Sequence, residues 1–549
     1  MGGSPSARPR LVLAAAAAAL AALLWRVAVE PVDFGYIRYL AIADEMARSG
    51  DWVVMRLVDH IYLDKPPLFF WPMAPIIAAL GEAPGWVAHV PDLLALALAL
   101  LCVHRLGAAI YGRGEPALAA ALVFATTWET FNQATGKRLD LLFAALLTAA
   151  LTAFYLGAGA RAAPRPRQLA LAWIALALAT LTKGPLAILL FAIVTVPWAA
   201  TTGRLRAFTS GGSLAGVALF VALCSAWPVL LVARLGADGA LRALRETDLA
   251  TRTGDLLLYA RNLPLLQLPW SLFYPALAVW LWRERPWRTS EGVRFVAIWA
   301  AAILAVLHVP DARHQRYLQP VTPALGLLVT GLWFAAPGTR PGLAGPAARL
   351  VEGASAALLG ILALAGAVAG TGLLLLDREP LTGAPLPPER WLAGPLAIAV
   401  AAGALRAIAS LRRRGSAWRG PAPIATLLLG ALACASLLAA GELRRKDPTP
   451  LARAALAPVR AGRPAALLGM HEEQQQMGRL LTRRHLPLLP DAAAAAAWAA
   501  EHGEAGALVL TDEAGRRALL RSGGVEVRIL RDFDLAQERI ELLDVRPGS

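Results

Sequence analysis

The stretch Tyr62-Leu63-Asp64-Lys65-Pro66-Pro67-Leu68-Phe69-Phe70-Trp71, with Gly50-Asp51-Trp52 shortly before it, is a polar island in an otherwise strongly apolar chain. A tyrosine, an aspartate and a lysine stand directly before a double proline. That pair ends any helix and holds the approaching backbone extended. Such a loop presents a cation at a fixed place, so chemistry is to be sought there.

The surroundings set the fold class. Hydrophobic residues make up 57% of the 549 and charged residues 17%, and the mean hydropathy is +0.53. These values belong to an α-helical polytopic membrane protein, not to a soluble enzyme. Apolar runs long enough for a hydrocarbon core of roughly 30 Å recur through residue 441, and we count about thirteen. They lie near 10–28, 87–111, 116–134, 139–159, 168–181, 185–201, 213–234, 264–282, 293–309, 317–336, 350–376, 391–410 and 422–441. The first follows Arg8 and Arg10 as a secretory signal would, but Trp25-Arg26 leads straight into the polar island without a small-residue cleavage site, and it reads as a retained anchor.

Charge orients the bundle. With the N-terminus in the cytoplasm, Arg113, Arg161, Arg165, Arg167, Arg204, Arg206, Arg283, Arg285, Arg288 and Arg412 to Arg414 all fall on the cytoplasmic side, as the positive-inside rule requires. The opposite loops mix signs, with Asp33, Arg38, Asp44, Asp64, Lys65, Arg138, Asp140, Arg313 and Arg316. The net charge of +15 is therefore a topological signal with attraction to anionic lipid, and no nucleic acid partner is needed to explain it. Cys102, Cys224 and Cys434 sit far apart inside apolar spans without metal-ligand spacing.

Two regions stand outside the spans. The connection from 30 to 86 is too long for a mere loop. Its periodicity predicts an amphipathic helix from Ile37 to Arg48 and another from Leu68 to Leu80, both lying in the membrane interface. After Gly441 the composition changes, and residues 442–549 read as a small soluble α/β domain on the periplasmic side. Strands are expected at Ala465–Met470, Ala507–Thr511 and Val525–Leu530, with helices at Glu472–Arg484, Ala492–His502 and Asp512–Arg521. No glycine-rich phosphate loop follows the early strands. The expected organisation is thus a membrane domain over 1–441, including the outer loop 30–86, and a soluble domain over 442–549.

The motifs Arg38-Tyr39, Glu45-Met46, Ser49-Gly50-Asp51-Trp52, Tyr62 to Pro67 and Trp71 resemble the first-loop signature of the GT-C glycosyltransferases. The branch they resemble holds the lipid A aminoarabinose transferases and the protein O-mannosyltransferases. Arg138-Leu139-Asp140, Leu181-Thr182-Lys183-Gly184-Pro185, Leu268-Pro269-Trp270 and Arg313 to Pro320 continue the match along the membrane part. The pairing of a Lys-Pro-Pro loop with a Lys-Gly-Pro loop is the specific element.

The resemblance implies an inverting transfer of sugar from a polyprenyl-phosphate donor to a lipid, glycan or protein acceptor outside the cytoplasmic membrane. Such a reaction needs cations for the phosphate leaving group and a carboxylate base for the acceptor hydroxyl. By family position Lys65 contacts the donor phosphate, with Tyr62 hydrogen-bonded to the same group. Arg38, Arg316, Tyr317 and Lys183 are further phosphate candidates, and Asp64 and Tyr39 belong to the same site. Read without the family, Lys65 is an interfacial lysine snorkelling to headgroups, and Lys183-Gly184-Pro185 is a tight turn between spans.

The carboxylate departs from the family pattern. The Asp-Glu pair expected before Arg38-Tyr39 is replaced by Gly35-Tyr36, and Asp33 lies two residues upstream. Asp33 is the preferred base, although it also suits a helix cap. Asp140 is the second catalytic candidate or, more simply, an ion-pair partner of Arg138; Asp64 and Asp44 are further options. A divalent metal is an option near Asp64, but one carboxylate beside a lysine assigns no ligand. A lipid-linked sugar transporter would need the same cations, yet the polar residues cluster at the outer loops without an internal repeat. A catalytically silent member is the third reading, prompted by the missing pair.

Overall fold

The computed structural model describes residues 7–31, 37–58, 60–136, 138–159, 164–246, 257–309, 313–334, 346–380, 383–411, 420–447, 449–502, 507–535 and 538–547. Asp33 lies outside them. The chain is an α-helical polytopic membrane protein with a small sheet near its C-terminus. It divides into two compact units, one of 1–28, 64–69 and 91–441, the other of 29–63, 70–90 and 442–549.

In the first unit every apolar run named above is helical over most of its described length. Among the described residues seven helices are long and apolar enough to cross a membrane, or eight with the pair Leu258–Leu266 and Trp270–Arg283, which is bent by 103°. The expected thirteen exceeds this because several runs are interrupted. The run 116–134 is split into Glu115–Ala125 and Trp128–Ala134, and Leu186–Thr202 has only 17 residues. The helix Leu139–Ala158 is the most enclosed of the candidate spans, with 78% of its apolar window buried. Aromatic rings fill the space beside it. Phe154 meets Phe191 edge to face at 5.5 Å, and Trp198 meets Phe295 in the same way at 5.2 Å.

Pro346–Leu375 and Arg390–Leu411 form a close hairpin through small residues, the packing that suits helices in lipid. A Cβ on Gly370 would stand 2.9 Å from the Gly394 carbonyl and 2.6 Å from the Ile398 side chain. Only glycine leaves room there.

The second unit combines the first loop with the part of the chain after Gly441. Its early part has the helix Ile37–Ser49, a short antiparallel pair β1 (Arg56–Leu57) and β2 (His60–Ile61), and the helix Ala74–Leu80. The expected helix Leu68–Leu80 is interrupted, with a 3-10 turn at Pro67–Phe69 before Ala74. Its late part has β3 (Ala465–Leu468), β4 (Leu488–Leu489), β5 (Ala507–Thr511), β6 (Val525–Leu535) and β7 (Glu538–Pro547) in the order β4-β3-β5-β7-β6. β3 runs parallel to β4 and β5, joined to them through helices; β7 is antiparallel to β5 and closes with β6 as a hairpin. Ala466, Leu468, Val509, Leu543 and Val545 form its core with Ala495, Ala499 and Leu519 from the helices. The expected strands and helices form here, and the sheet adds two-residue β4 and the strand β7.

The Ile37–Ser49 helix does not spend its apolar face on lipid. Ile37, Leu40, Ile42, Ala43 and Met46 are buried within the protein, and the helix packs against Ala74–Leu80 and against Glu472–Thr482 of the sheet domain. Asp44 is buried in that contact, with its oxygens 3.1 Å from Arg48 Nε and 3.3 Å from a nitrogen of Arg483. Burial pushes the Asp44 carboxyl up against the pull of Arg48 and Arg483, so the pairs only partly repay its desolvation. Arg483→Ala should therefore lower the stability of the purified protein by about 1–2 kcal/mol, both guanidiniums being partly exposed. Adding Asp44→Asn should recover part of that loss, because the uncompensated charge goes; thermal unfolding of the four proteins of the cycle measures the coupling.

Candidate functional site

Three separate pieces of sequence meet in the first unit at the start of the enclosed helix. Asp140 is the second residue of Leu139–Ala158 and is 4% exposed. A carboxylate in the first turn is favoured by the helix dipole, which partly offsets its burial. Lys183 is the last residue of Pro166–Lys183, the end where the dipole favours a cation. Gly184 then turns the chain with φ +82°, a conformation suited to glycine. Arg316 comes from the 3-10 turn Gln315–Val321, which packs against Leu139–Ala158.

Lys183 Nζ lies 2.5 Å from Asp140 Oδ1, and Arg316 Nε lies 3.4 Å from Oδ2. One carboxylate thus holds two cations side by side. The Tyr317 ring supports them, with Lys183 Nζ 4.3 Å and the Arg316 guanidinium 5.6 Å from its centroid. Phe143 lies on the other side of Lys183 at 5.4 Å. Arg316 keeps about a third of its side chain exposed, whereas Lys183 and Asp140 are largely covered.

The Lys-Pro-Pro loop supplies a third cation. The turn Pro67–Phe69 packs against the helix Pro166–Lys183 and so fixes where the loop lies. Lys65 Nζ donates to the Asp64 carbonyl oxygen at 2.9 Å. Partial burial pushes the Lys65 ammonium below its usual value; the charges of Asp64 and Asp140 oppose that shift, while Lys183 and Arg316 add to it. All four charged groups therefore act on Lys65 electrostatically. Three cations face two carboxylates here, leaving a net positive place for an anion of phosphate type.

Of the residues singled out in the sequence, Lys183, Asp140, Arg316 and Tyr317 are brought into contact, with Lys65 and Asp64 in the loop whose charge they influence. Tyr62, Tyr39 and Arg38 belong to the second unit. There Tyr62 and Tyr39 both stand edge-on to Phe70, at 6.0 and 5.8 Å, and Arg38 is exposed. Asp140 forms ion pairs with Lys183 and Arg316, from other parts of the bundle. Lys183 is more central than a turn residue would be.

Sequence reasoning missed Glu129 and Gln133. Glu129 is 1% exposed and feels the charges of Asp140 and Arg138. Its signal was the polar Glu-Thr-Phe-Asn-Gln stretch inside the apolar run 116–134. Among the described residues no group of three or more His, Cys, Asp or Glu side chains gathers for a metal.

A family model described as dolichyl-phosphate-mannose-protein mannosyltransferase matches residues 64–231. The undecaprenyl phosphate-alpha-4-amino-4-deoxy-L-arabinose arabinosyl transferase of Pseudomonas aeruginosa is 30% identical over 305 residues, 53% of this chain and 54% of that one. The protein of the same name from Edwardsiella ictaluri is 26% identical over 447 residues, 78% of this chain and 76% of that one. The chain thus spans about half the length of the first of these relatives. The crystal structure of ArnT from Cupriavidus metallidurans bound to undecaprenyl phosphate superposes with a TM-score of 0.72 at 18% identity, covering 98% of this chain and 99% of that one. The fold is therefore that of this solved structure. In sequence the chain resembles the aminoarabinose transferases.

The lowered Lys65 value has a sign that can be read. As pH rises, Lys65 loses its charge below its ordinary value of 10.5. Affinity for a phosphate-bearing lipid should therefore weaken on the alkaline side earlier than a free lysine dictates. Lys65→Arg, whose guanidinium stays charged, should flatten that limb. An unchanged alkaline profile in Lys65→Arg would take the lysine out of the anion site.

Proposed function

We propose that the protein is an inverting glycosyltransferase that moves a sugar from a polyprenyl-phosphate donor to a hydroxyl of a lipid, glycan or protein acceptor. The observation that carries this reading is the Asp140 carboxylate holding Lys183 and Arg316 together within electrostatic reach of Lys65. In this reading the three cations receive the negative charge that grows on the phosphate as the bond to the anomeric carbon breaks. Cations set in place beforehand need not reorganise as the reaction proceeds, which is where such stabilisation has most effect. The similar relatives are named for undecaprenyl phosphate-linked 4-amino-4-deoxy-L-arabinose, which makes that donor the first to try.

Asp140 keeps the cations parallel and faces the same place. The acceptor proton goes to a carboxylate, Asp33 or Asp140, while the bond from the acceptor oxygen forms opposite the departing phosphate. Lys65→Ala should lower transfer by about 10²–10³-fold without loss of folded protein, since it removes charge stabilisation and little packing. Asp140→Asn should weaken carrier binding as well as turnover, because it frees Lys183 and Arg316. Asp33→Asn should slow transfer by about 10²–10⁴-fold with carrier binding intact if Asp33 is the base. Wild-type rates in Lys65→Ala would refute the phosphate role.

We place residues 30–86 and the domain after Gly441 on the periplasmic side of the inner membrane, supported by the distribution of arginine among the loops. Ser49 and Ser522 are exposed residues of these two regions. Single cysteines there, in a background lacking Cys102, Cys224 and Cys434, should react with a membrane-impermeant thiol reagent in intact spheroplasts. Protection of both until lysis would reverse the orientation.

A further inference from the structure

In the first unit, the helix Tyr274–Arg283 is joined to Glu291–Leu307 by a connection that contains the short helix Pro286–Thr289. Arg294 fastens this connection. Its Nε donates to the Trp287 carbonyl at 2.9 Å, and its two terminal nitrogens donate to the carbonyls of Arg288 and Thr201, each at 3.0 Å. One guanidinium thus ties the loop to the end of the helix Leu186–Thr202. Glu291, at the border of the loop, is paired with Arg204, and its carbonyl accepts from Trp198 Nε1 at 3.0 Å. Arg285 has φ +47°, a left-handed backbone that a residue with a side chain holds only where its surroundings impose it.

The fastened loop displays cations and rings together. Arg283, Arg285 and Arg288 are all exposed, and Glu284 is the only acid from Trp282 to Ser290. Among the described residues none of the three arginines makes an ion pair. Arg288 lies over the Trp287 ring, 5.0 Å from its centroid. Trp282 is 81% exposed and Trp287 36%. Trp282 stands in the last turn of the apolar helix Tyr274–Arg283, so its uncovered ring leaves the protein where the hydrocarbon ends and not from the tip of the loop. Indole rings gather at that level of a bilayer, and guanidiniums just beyond it reach the headgroup phosphates. An acidic protein would satisfy the arginines and leave this ring unexplained.

We propose that the turn from Trp282 to Arg288 is a binding site for one anionic phospholipid of the bilayer, with the phosphate among Arg283, Arg285 and Arg288 and the acyl chains along Trp282. The site is independent of the glycosyl transfer and uses none of Lys65, Lys183 and Arg316. It also differs from the general attraction of a cationic chain to anionic lipid. That attraction is spread over the surface and does not saturate, whereas this turn takes a single lipid and selects it by headgroup charge. A loop held by Arg294 presents its guanidiniums in place beforehand, which limits what ordering them costs on binding.

The test is native mass spectrometry of the full chain in detergent, titrated with phosphatidylglycerol or with phosphatidylcholine of the same acyl chains. The wild type should retain one phosphatidylglycerol at least about 10-fold more tightly than phosphatidylcholine, a surface arginine contributing roughly 5-fold. Arg283→Gln, Arg285→Gln and Arg288→Gln together should abolish that preference and leave phosphatidylcholine binding unchanged. Lysine at the same three positions keeps the charge and should keep most of the preference. Arg521→Gln, Arg528→Gln and Arg531→Gln together remove the same charge from exposed positions of the sheet domain and should change nothing. Equal retention of both lipids by the wild type, a preference that survives the loop substitutions, or an equal loss in the sheet-domain control overturns the site. Displacement of phosphatidylglycerol by inorganic phosphate would make the occupant a soluble anion and overturns the lipid. Should the triple loop variant unfold, the three single glutamine variants decide, each expected to lose about 5-fold in phosphatidylglycerol affinity; wild-type affinity in all three refutes the proposal.

Discussion

A carboxylate buried at the head of the most enclosed helix sets the rest of the membrane unit in order. Asp140 leaves water only because its helix N-terminus, Lys183 and Arg316 stand around it. Two like charges would repel each other in so covered a place, and the carboxylate is what permits them to lie side by side. The helix end that delivers Lys183, the turn that delivers Arg316 and the ring of Tyr317 between them all follow from that need. The Lys-Pro-Pro loop is the last component, set against the Lys183 helix by its own proline turn.

Much of this was legible in the chain. The apolar runs and the interruption at Asp64-Lys65-Pro66-Pro67 were enough to separate membrane helix from chemistry, because hydrocarbon tolerates neither unpaired charge nor open backbone. The grouping of Lys65, Lys183, Arg316 and Asp140 followed only from the resemblance, since residues so distant in sequence carry no local sign of contact. Local reasoning could offer Asp140 only its neighbour Arg138 as an ion-pair partner for that reason, whereas the bundle brings Lys183 and Arg316 to it. Helix boundaries failed where an apolar run bends, as at Thr126-Thr127, because hydropathy averages across a break. Glu129 escaped notice on the same account, a charged residue diluted by apolar neighbours.

The sheet domain shows the opposite pattern. β3 and β5 are short, mainly apolar runs that are buried throughout, which sequence finds readily. The two-residue β4 is too short for periodicity to register. The long hairpin of β6 and β7 breaks its register between Ile529 and Arg531, so its alternation fails midway. The Ile37–Ser49 helix misled in another way: an amphipathic pattern states that one face must be covered and is silent on whether lipid or protein covers it.

That helix has a consequence for the order in which the protein is made. Its apolar face and its buried Asp44 are completed by Glu472–Thr482 and Arg483, which the ribosome delivers only after the membrane helices. Until then the first loop is an unfinished surface, covered by Ala74–Leu80 on one side and open where Glu472–Thr482 will pack. A chain stopped at Gly441 would have its full complement of apolar spans and still carry that exposed face. It would be a natural target for proteases and chaperones that recognise uncovered apolar helix. Arrival of residues 472–483 thus covers the remaining part of that face.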